Sequence, residues 1–396
     1  METKCIRLGD CILCNPRVKL TKGELYPVID IDKITVGRKY VSNKTFITFA
    51  GQSGCKFENG DTLMARITPC LENGKMAVAK IASKGLGSTE LFVFRSKDGV
   101  TDEEFVYYLL KQQYIRNLAA NSMTGASGRQ RADLKFIKRI KIQLPNLDVQ
   151  HCIASILSTY DTLIENNTKR IRLLEKMAEN LYKEWFVRFR FPGHENVEME
   201  NGLPKGWKMT NLFDVADVTY GFAIKSNKFC DNAELNPVVR IRDIQENHTN
   251  TYTDEQCEDK YLIGKNAILI GMDGIFHMCL WNGERAYMNQ RVVMLNSKEK
   301  GVCNYLLYLA IRPQIKYWEQ VISGTTVAHL GDKHLRKVKV LLPEKAILEK
   351  ANSIISRAMD EKNILQHQNS LLARQRDLLL PRLMSGKLEV KEELLE

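Results

Sequence analysis

Two seven-residue stretches of this chain share one pattern: Arg139-Ile140-Lys141-Ile142-Gln143-Leu144-Pro145 and Lys337-Val338-Lys339-Val340-Leu341-Leu342-Pro343. In the first stretch the apolar residues alternate with basic and polar ones, which predicts a strand with one buried face. Each stretch ends in proline, and a long segment with helical periodicity follows it. Because this order recurs after half of the chain, the sequence predicts a duplicated architecture.

Three further matches between the two halves support the duplication. They occur in the same order along each half, and their offset drifts by a few residues, as loop insertions would cause. One short match could arise by chance, but four in order indicate that each half folds in the same way. The three matched pairs are Leu8–Ile12 with Leu212–Ala216, Glu90–Phe94 with Gln290–Met294, and Thr124–Ala126 with Ser323–Thr325.

Each half opens with a region of mixed character. Short β-rich runs such as Leu91–Phe94 alternate with turns that contain glycine, and a helical patch follows at Glu103–Leu118 and at Asn304–Gln320. The expected fold class is α+β: two pseudo-repeated mixed α/β domains separated by two long antiparallel helices that form a coiled-coil spacer. The expected boundaries are residues 1–145 and 203–343 for the two domains, 146–192 for the first spacer helix, and 344–396 for the second helix and the C-terminal tail.

The two long helices are predicted from seven-residue apolar periods. The first should run from just after Pro145 to before Pro192, about 45 residues or roughly 65 Å. The second should begin after Pro343 and be interrupted at Pro381. The first series is Leu157, Ile164, Ile171, Ala178 and Trp185, with Tyr160, Asn167, Leu174 and Leu181 in a second phase. The second series is Ala351, Ala358, Leu365, Leu372 and Leu379, backed by Ile364, Leu371 and Leu378.

The alternative is that each long helix packs only on its own domain. Helices of this length exceed what one domain of ordinary size can cover, whereas two heptad helices in one chain can bury their apolar stripes against each other. The first helix carries the chain away from the first domain and the second carries it back. We therefore expect the two helices to pair in antiparallel orientation.

Composition favours an anionic partner and an intracellular protein. The 58 Lys and Arg exceed the 47 Asp and Glu, which gives a formal charge of +11. The chain has no apolar leader and no run approaching the length of a membrane span, so a cytoplasmic location is expected. Cys11 and Cys14 form a single C-x-x-C beside Cys5, but no second ligand pair follows, so no zinc site is expected.

Catalytic signatures are missing from the sequence. Gly74-Lys75, Gly264-Lys265 and Gly386-Lys387 are not part of a P-loop, and there is no H-E-x-x-H or G-x-S-x-G motif. Asn236-Pro237-Val238 lacks the second proline and aromatic residue with which amino-methyltransferases hold a flipped base. We therefore expect no cofactor and a binding protein instead of an enzyme.

Basic residues cluster at matching places in the two halves. Each cluster follows a loop of small residues whose amides and hydroxyls could reach phosphates or base edges. His329 and His334 lie in the second cluster, and solvent exposure is the simple interpretation of both. Because the clusters recur, we predict DNA contact through Arg66, Thr124, Gly125, Ser127, Arg129, Arg131, Lys135 and Lys138 in the first half, and through Thr325, Thr326, Lys333, His334, Arg336 and Lys337 in the second.

Together these features resemble the specificity subunit of a type I restriction-modification system, and the resemblance covers nearly the whole chain. The first half departs from the second because it lacks a Pro-x-Gly-Trp opening. The motifs that carry the resemblance are Gly60–Pro69 with Glu72–Lys75, Leu203–Trp207, Leu144-Pro145 and Leu342-Pro343 before the long helices, Trp185–Val187, and Leu380–Gly386.

The resemblance implies two target recognition domains, each of which reads one half of a bipartite site in double-stranded DNA. It also implies a non-catalytic subunit. Adenine methylation would come from partner modification subunits, one on each pseudo-symmetric half, and ATP-driven translocation and cleavage from restriction subunits. We expect the modification subunits to dock on the helical region, with Trp185, Phe186 and Leu383 as exposed apolar anchors; the same residues could instead belong to the local core. Two other hypotheses are a coiled-coil scaffold that binds no DNA and a single-chain DNA methyltransferase-endonuclease.

Overall fold

The computed structural model describes residues 3–42, 45–126, 129–322 and 328–388. The chain forms two compact units. The first contains the chain up to Lys169 together with the chain from Gln366 onward, and the second contains Arg170–Leu365. Each unit therefore holds one mixed α/β region and part of both long helices. Among the described residues, no helix combines the length and the apolar character needed to cross a membrane.

The described residues of the first unit form three sheets. A strand pair joins Thr3–Arg7 to Lys141–Pro145, with Ile6 opposite Ile142. As the alternation predicts, Ile142 and Leu144 are buried and Lys141 and Gln143 are exposed. A five-stranded sheet has the order Ile12–Cys14, Leu91–Ser96, Thr62–Ala65, Met76–Ala79 and Tyr40–Val41, and a four-stranded sheet has the order Phe46–Thr48, Leu25–Ile29, Lys84–Gly87 and Cys55–Glu58. The helices of this region are Leu8–Cys11, Glu103–Lys111, Gln113–Asn121 and Leu134–Arg139.

The second unit repeats this arrangement. Lys208–Asn211 pairs with Lys339–Leu342, and a short hairpin joins Met199–Glu200 to Leu203–Pro204. One four-stranded sheet has the order Ala216–Tyr220, Val292–Ser297, Ile268–Gly271 and Met278–Leu280. The other has the order Phe229–Cys230, Tyr252–Thr253, Asn236–Val239 and Tyr287–Met288. The helices of this region are Leu212–Val215, Asn304–Val321 and Asp332–Leu335.

The central strands of both units are buried on both faces. In Thr62–Ala65, Met64 faces a core formed with the helices, and Leu63 faces a second core between the sheets. In Ile268–Gly271, Ile268 and Leu269 divide in the same way between two cores. Alternate side chains of a strand point to opposite faces, so one apolar strand can serve two cores. This explains why these strands are almost continuously apolar.

The long helices occupy Leu147–Tyr182, followed by a π-helical turn at Lys183–Val187, and Lys345–Met384. The expected interruption at Pro381 is wrong, because the second helix continues through it to Met384. A proline costs one backbone hydrogen bond and crowds the preceding turn. Here the last turn is retained because Leu380 and Leu383 are buried in the core of the first unit.

The second apolar row predicted for the second helix is also wrong. Ile364, Leu371 and Leu378 are 58%, 45% and 59% exposed. The row that contacts the first long helix is instead Lys362, Asn369 and Arg376, which lie four residues after Ala358, Leu365 and Leu372. The pairing seam therefore contains polar residues that an apolar heptad search does not select.

Polar pairs within each unit show that the helices run antiparallel. In the first unit, Arg376 forms an ion pair with Asp161, and the Asn369 Nδ2 lies 3.4 Å from the Thr168 Oγ1. In the second unit, the Lys362 Nζ lies 3.1 Å from Glu175. Partners advance by seven residues on one helix and retreat by seven on the other, which is the register of an antiparallel coiled coil. The expected spacer is therefore confirmed.

Candidate nucleic-acid interface

The first basic segment is presented by a short amphipathic helix, Leu134–Arg139. The Asp133 carboxylate accepts a hydrogen bond of 2.8 Å from the Lys135 amide and so caps the helix. Ile137 is buried, whereas Lys135 and Lys138 are exposed. The helix anchors itself by its apolar residue and directs its positive charges to solvent, as an interface with phosphates requires.

A closed loop precedes this helix. The Thr124 amide donates to the Arg131 carbonyl at 3.1 Å, and the Arg131 amide donates back to Thr124 at 2.9 Å. Gly125 has a φ of +123°, a conformation that favours glycine. Thr124, Gly125 and Arg129 are exposed, and Ser127 lies outside the described residues. The structure therefore brings Thr124, Gly125 and Arg129 together at one solvent-facing turn.

Arg131 is held by a carboxylate that the basic pattern in the sequence does not single out. Its Nε lies 2.9 Å from the Glu90 Oε2, and its Nη2 lies 2.6 Å from the Glu90 Oε1. Hydrogen bonding from Arg131 lowers the pKa of Glu90, so this carboxylate is charged at neutral pH. Glu90 stands directly before the strand Leu91–Ser96, and the pair ties the basic loop to that strand.

Arg66 lies beneath the same loop. It is half-buried, and its guanidinium stands 4.9 Å from the centre of the Phe92 ring. Its amide donates to the Glu90 carbonyl at 3.0 Å, and its carbonyl accepts from the Ala132 amide at 2.8 Å. Arg66 is thus adjacent to Arg131 but less accessible than Arg129, Lys135 and Lys138.

The second basic segment includes the short helix Asp332–Leu335 and the two residues after it. Lys333, Arg336 and Lys337 are exposed. The Arg336 Nε pairs with the Asp332 Oδ2 at 2.5 Å, and this hydrogen bond lowers the pKa of Asp332. The Lys337 Nζ lies 5.7 Å from the Trp318 ring. Thr325 and Thr326, predicted from the sequence, lie outside the described residues.

His334 caps this helix. Its Nδ1 accepts a hydrogen bond of 3.0 Å from the Gly331 amide, and its ring lies 5.1 Å from the Trp318 ring. Burial lowers the pKa of His334, and the positive charges of Lys333 and Lys337 lower it further. The imidazole of the protein alone is therefore neutral at pH 7.

His329 has a partner as well as solvent exposure. It is 47% exposed, and its Nδ1 lies 2.6 Å from the Asp273 Oδ1. The Asp273 Oδ2 also lies 3.3 Å from the Nε of Arg291. Asp273, Arg291 and Glu90 were missed because they lie far along the sequence from the basic segments. The sequence match pairs Glu90 with Gln290, one residue away from its structural equivalent, Arg291. The strands that follow them, Leu91–Ser96 and Val292–Ser297, occupy equivalent positions in their sheets.

Two of the three predicted partner anchors are not exposed. Phe186 is 4% exposed and Leu383 is 1% exposed, because each belongs to the hydrophobic core of its own unit. The expectation of exposure is therefore wrong for both. Trp185 is half-buried and borders a shallow groove of about 500 Å³ on the first long helix, together with Leu173, Met177 and Leu181.

Cys11 and Cys14 have the character of protonated thiols. Burial raises the pKa of Cys11 to about 12 and that of Cys14 to about 11. Among the residues that the structure describes, no three His, Cys, Asp or Glu side chains are grouped as metal ligands would be.

Comparison with known proteins identifies the architecture. The family model of the type I restriction modification DNA specificity domain matches the chain twice, over residues 4–176 and 204–372. The type I restriction enzyme MjaIX specificity subunit of Methanocaldococcus jannaschii is 27% identical over 75% of this chain and 71% of its own length. The MjaVIII specificity subunit of the same organism is 25% identical over 98% of this chain and 94% of its own length.

A solved structure shares the fold. The crystal structure of the S subunit of a type I restriction-modification system from M. genitalium superposes with a TM-score of 0.60 at 16% identity, over 96% of each chain. This agreement confirms the α+β class with two repeated domains. The two family matches together span most of the chain, and the protein therefore belongs to the type I restriction-modification DNA specificity family, as a specificity subunit and not as the catalytic component.

Proposed function

We propose that this chain is the DNA-reading subunit of a type I restriction-modification complex. In this proposal residues 1–145 and 203–343 are target recognition domains, and each reads one half of a bipartite site in double-stranded DNA. The observation that carries the proposal is the recurrence of exposed cations at equivalent places, on Leu134–Arg139 and around Asp332–Leu335. A single surface cluster could be a solvated face, but two clusters at the same place in a repeat indicate a shared ligand.

The partners follow from this arrangement. Two similar domains can present one modification subunit to each half-site, since a repeated surface binds a repeated partner. Those subunits would methylate adenine, and restriction subunits would supply ATP-driven translocation and cleavage. Residues 146–192 and 344–396 would act as the spacer helices, and the complex would work in the cytoplasm, where the chromosome is.

The double substitution Arg129→Ala with Arg131→Ala tests DNA contact. We expect weaker binding of DNA by the assembled complex, and a log-log dependence of affinity on salt that is flatter by about one for each phosphate that the variant no longer neutralises. The measurement is a titration of labelled duplex at several salt concentrations. The matched control is Lys205→Ala with Lys208→Ala, which removes the same charge outside both basic segments. An unchanged slope in the arginine variant would contradict the assignment.

The groove on the first long helix is proposed as a docking site for a modification subunit. Leu173 is 66% exposed and Met177 is 45% exposed, so this apolar strip has no cover within the described part of its unit. Leu173→Glu should weaken co-purification of the modification subunit by about tenfold or more, as removal of an interface hot spot does, and should leave the melting temperature unchanged. Leu163→Glu, at a residue 45% exposed elsewhere on the same helix, is the control. Equal effects of both variants would argue against a specific groove.

A further inference from the structure

One backbone position joins the basic segment to the central sheet in both units. In the first unit, the backbone of Arg131 forms an antiparallel β-bridge with that of Ile67, and the Ala132 amide donates to the Arg66 carbonyl at 2.8 Å. In the second unit, the backbone of His329 forms an antiparallel β-bridge with that of Asp273, and the Leu330 amide donates to the Met272 carbonyl at 2.8 Å. Arg131 and His329 are therefore equivalent residues of the repeat.

A second pair of positions is equivalent by the same evidence. The Arg66 amide donates to the Glu90 carbonyl, and the Met272 amide donates to the Arg291 carbonyl, each at 3.0 Å. Glu90 and Arg291 thus occupy one place, immediately before the strands Leu91–Ser96 and Val292–Ser297. The acid of the first unit is replaced by a base in the second.

Despite that exchange, each unit retains a carboxylate that holds exposed nitrogen donors. Glu90 holds Arg131, which is 45% exposed. Asp273 holds both His329 and Arg291, which are 47% and 54% exposed. The arrangement is maintained with different residues in the two halves. A protein that must read two different half-sites with one scaffold needs this combination of fixed placement and variable chemistry.

Stability does not account for these ion pairs. Exposed ion pairs contribute little to folding, because water and salt screen them and because ordering two side chains costs entropy. A carboxylate bound to one edge of a guanidinium does, however, fix the direction of the remaining donors. Glu90 takes the Nε and Nη2 of Arg131, and the described residues offer no acceptor to its Nη1. Asp273 takes the Nε of Arg291 and the Nδ1 of His329, which leaves the terminal nitrogens of Arg291 as the remaining donors.

We propose that Arg131 in the first unit and Arg291 in the second are the base-reading groups, and that each donates to the O6 and N7 acceptors of guanine in the major groove. Glu90 and Asp273 are positioning residues for these donors. The inference deepens the proposed function and rests on it. Arginine presents a planar pair of donors that matches the two acceptors of guanine, so a fixed orientation converts charge into sequence preference.

The test uses the complex assembled with its modification subunits. Its affinity is measured for the methylated site identified in the host genome and for every single base-pair substitution of that site. Arg131→Ala should reduce affinity for the intact site by about 10- to 100-fold and abolish discrimination at one guanine of the first half-site only. Arg129→Ala is the matched control and should weaken binding to all sequences alike. Uniform weakening by Arg131→Ala would overturn the proposal.

The positioning residues are tested by isosteric variants. Glu90→Gln should lower discrimination at that same guanine, and Asp273→Asn should do so in the other half-site only. Both variants should leave the slope of affinity against salt and the melting temperature unchanged, which separates orientation of a donor from a structural role. Full discrimination in both variants would overturn the positioning role. Failure of the proposed function is distinct: the unaltered complex would then bind DNA without sequence preference, before any variant is made.

Discussion

Replacing Arg376 with alanine should destabilise the first unit by about 3–5 kcal/mol, the usual cost of removing one partner from a buried ion pair. Arg376 is 1% exposed and Asp161 is 3% exposed. Besides their ion pair, the Arg376 Nη1 lies 3.3 Å from the Gly37 carbonyl, and the Tyr108 hydroxyl donates to Asp161 at 2.6 Å. Burial raises the pKa of Tyr108, and the neighbouring Asp161 raises it further, so the hydroxyl stays protonated. After the substitution, Asp161 would keep one neutral donor and lose its hydrogen-bonded counter-charge.

The measurement is urea denaturation of the full chain, followed by circular dichroism. Arg374→Ala is the control, because Arg374 is exposed on the same helix and should change stability little. The double variant Asp161→Leu with Arg376→Met should recover most of the loss, since an apolar pair of similar volume needs no counter-charge. A destabilisation below about 1 kcal/mol in Arg376→Ala, the value of an exposed pair, would contradict the prediction that Arg376 and Asp161 act as a buried ion pair.

The pair of Arg376 and Asp161 also shows which parts of the fold can be predicted from the sequence and which cannot. Duplication, strand-proline-helix order and the Ala351 series were all predictable, because they depend on local patterns with short periods. The second row of the seam was not, since Lys362, Asn369 and Arg376 hold heptad positions that are normally apolar. Each is accommodated by one polar residue on the other helix, about 200 positions away in the chain. The apolar pattern of the sequence therefore placed Leu371 and Leu378 in the seam, although both face solvent.

In the candidate interface, too, one part could be predicted from the sequence and another could not. Runs of basic residues are visible in the sequence, and the structure places Arg129, Lys135 and Lys138 on one exposed segment. Their hydrogen-bond partners are not visible there. Glu90 lies 41 residues from Arg131, and Asp273 lies 56 residues from His329. Backbone bridges between distant strands bring these residues together. The sequence alone therefore does not distinguish a basic side chain that is held by a carboxylate from other basic side chains on the surface.

The other large effect concerns spacing, and the polar seam allows it to be designed. One heptad can be inserted in each long helix, as a copy of residues 165–171 after Ile171 and a copy of residues 366–372 after Leu365. The first copy contains a second Thr168 and the other a second Asn369, so the inserted turns carry their own polar pair. Seven residues also return each apolar series to the same face. The paired helices should therefore remain antiparallel and folded.

If the helix pair sets the distance between the recognition domains, the inserted variant should require a longer non-specific spacer between two unchanged half-sites. Seven residues add about 10.5 Å of helix, or roughly three base pairs at 3.4 Å per step. Sequencing of methylated bases in cells that carry the variant gives the new spacing directly. An insertion of two residues in one helix is the control: it rotates the seam away from its partner, so assembly should fail instead of being retuned. A rigid spacer cannot lengthen without moving the domains that it separates. A double-heptad variant that is active and still methylates the original spacing would therefore show that the helix pair does not set this distance.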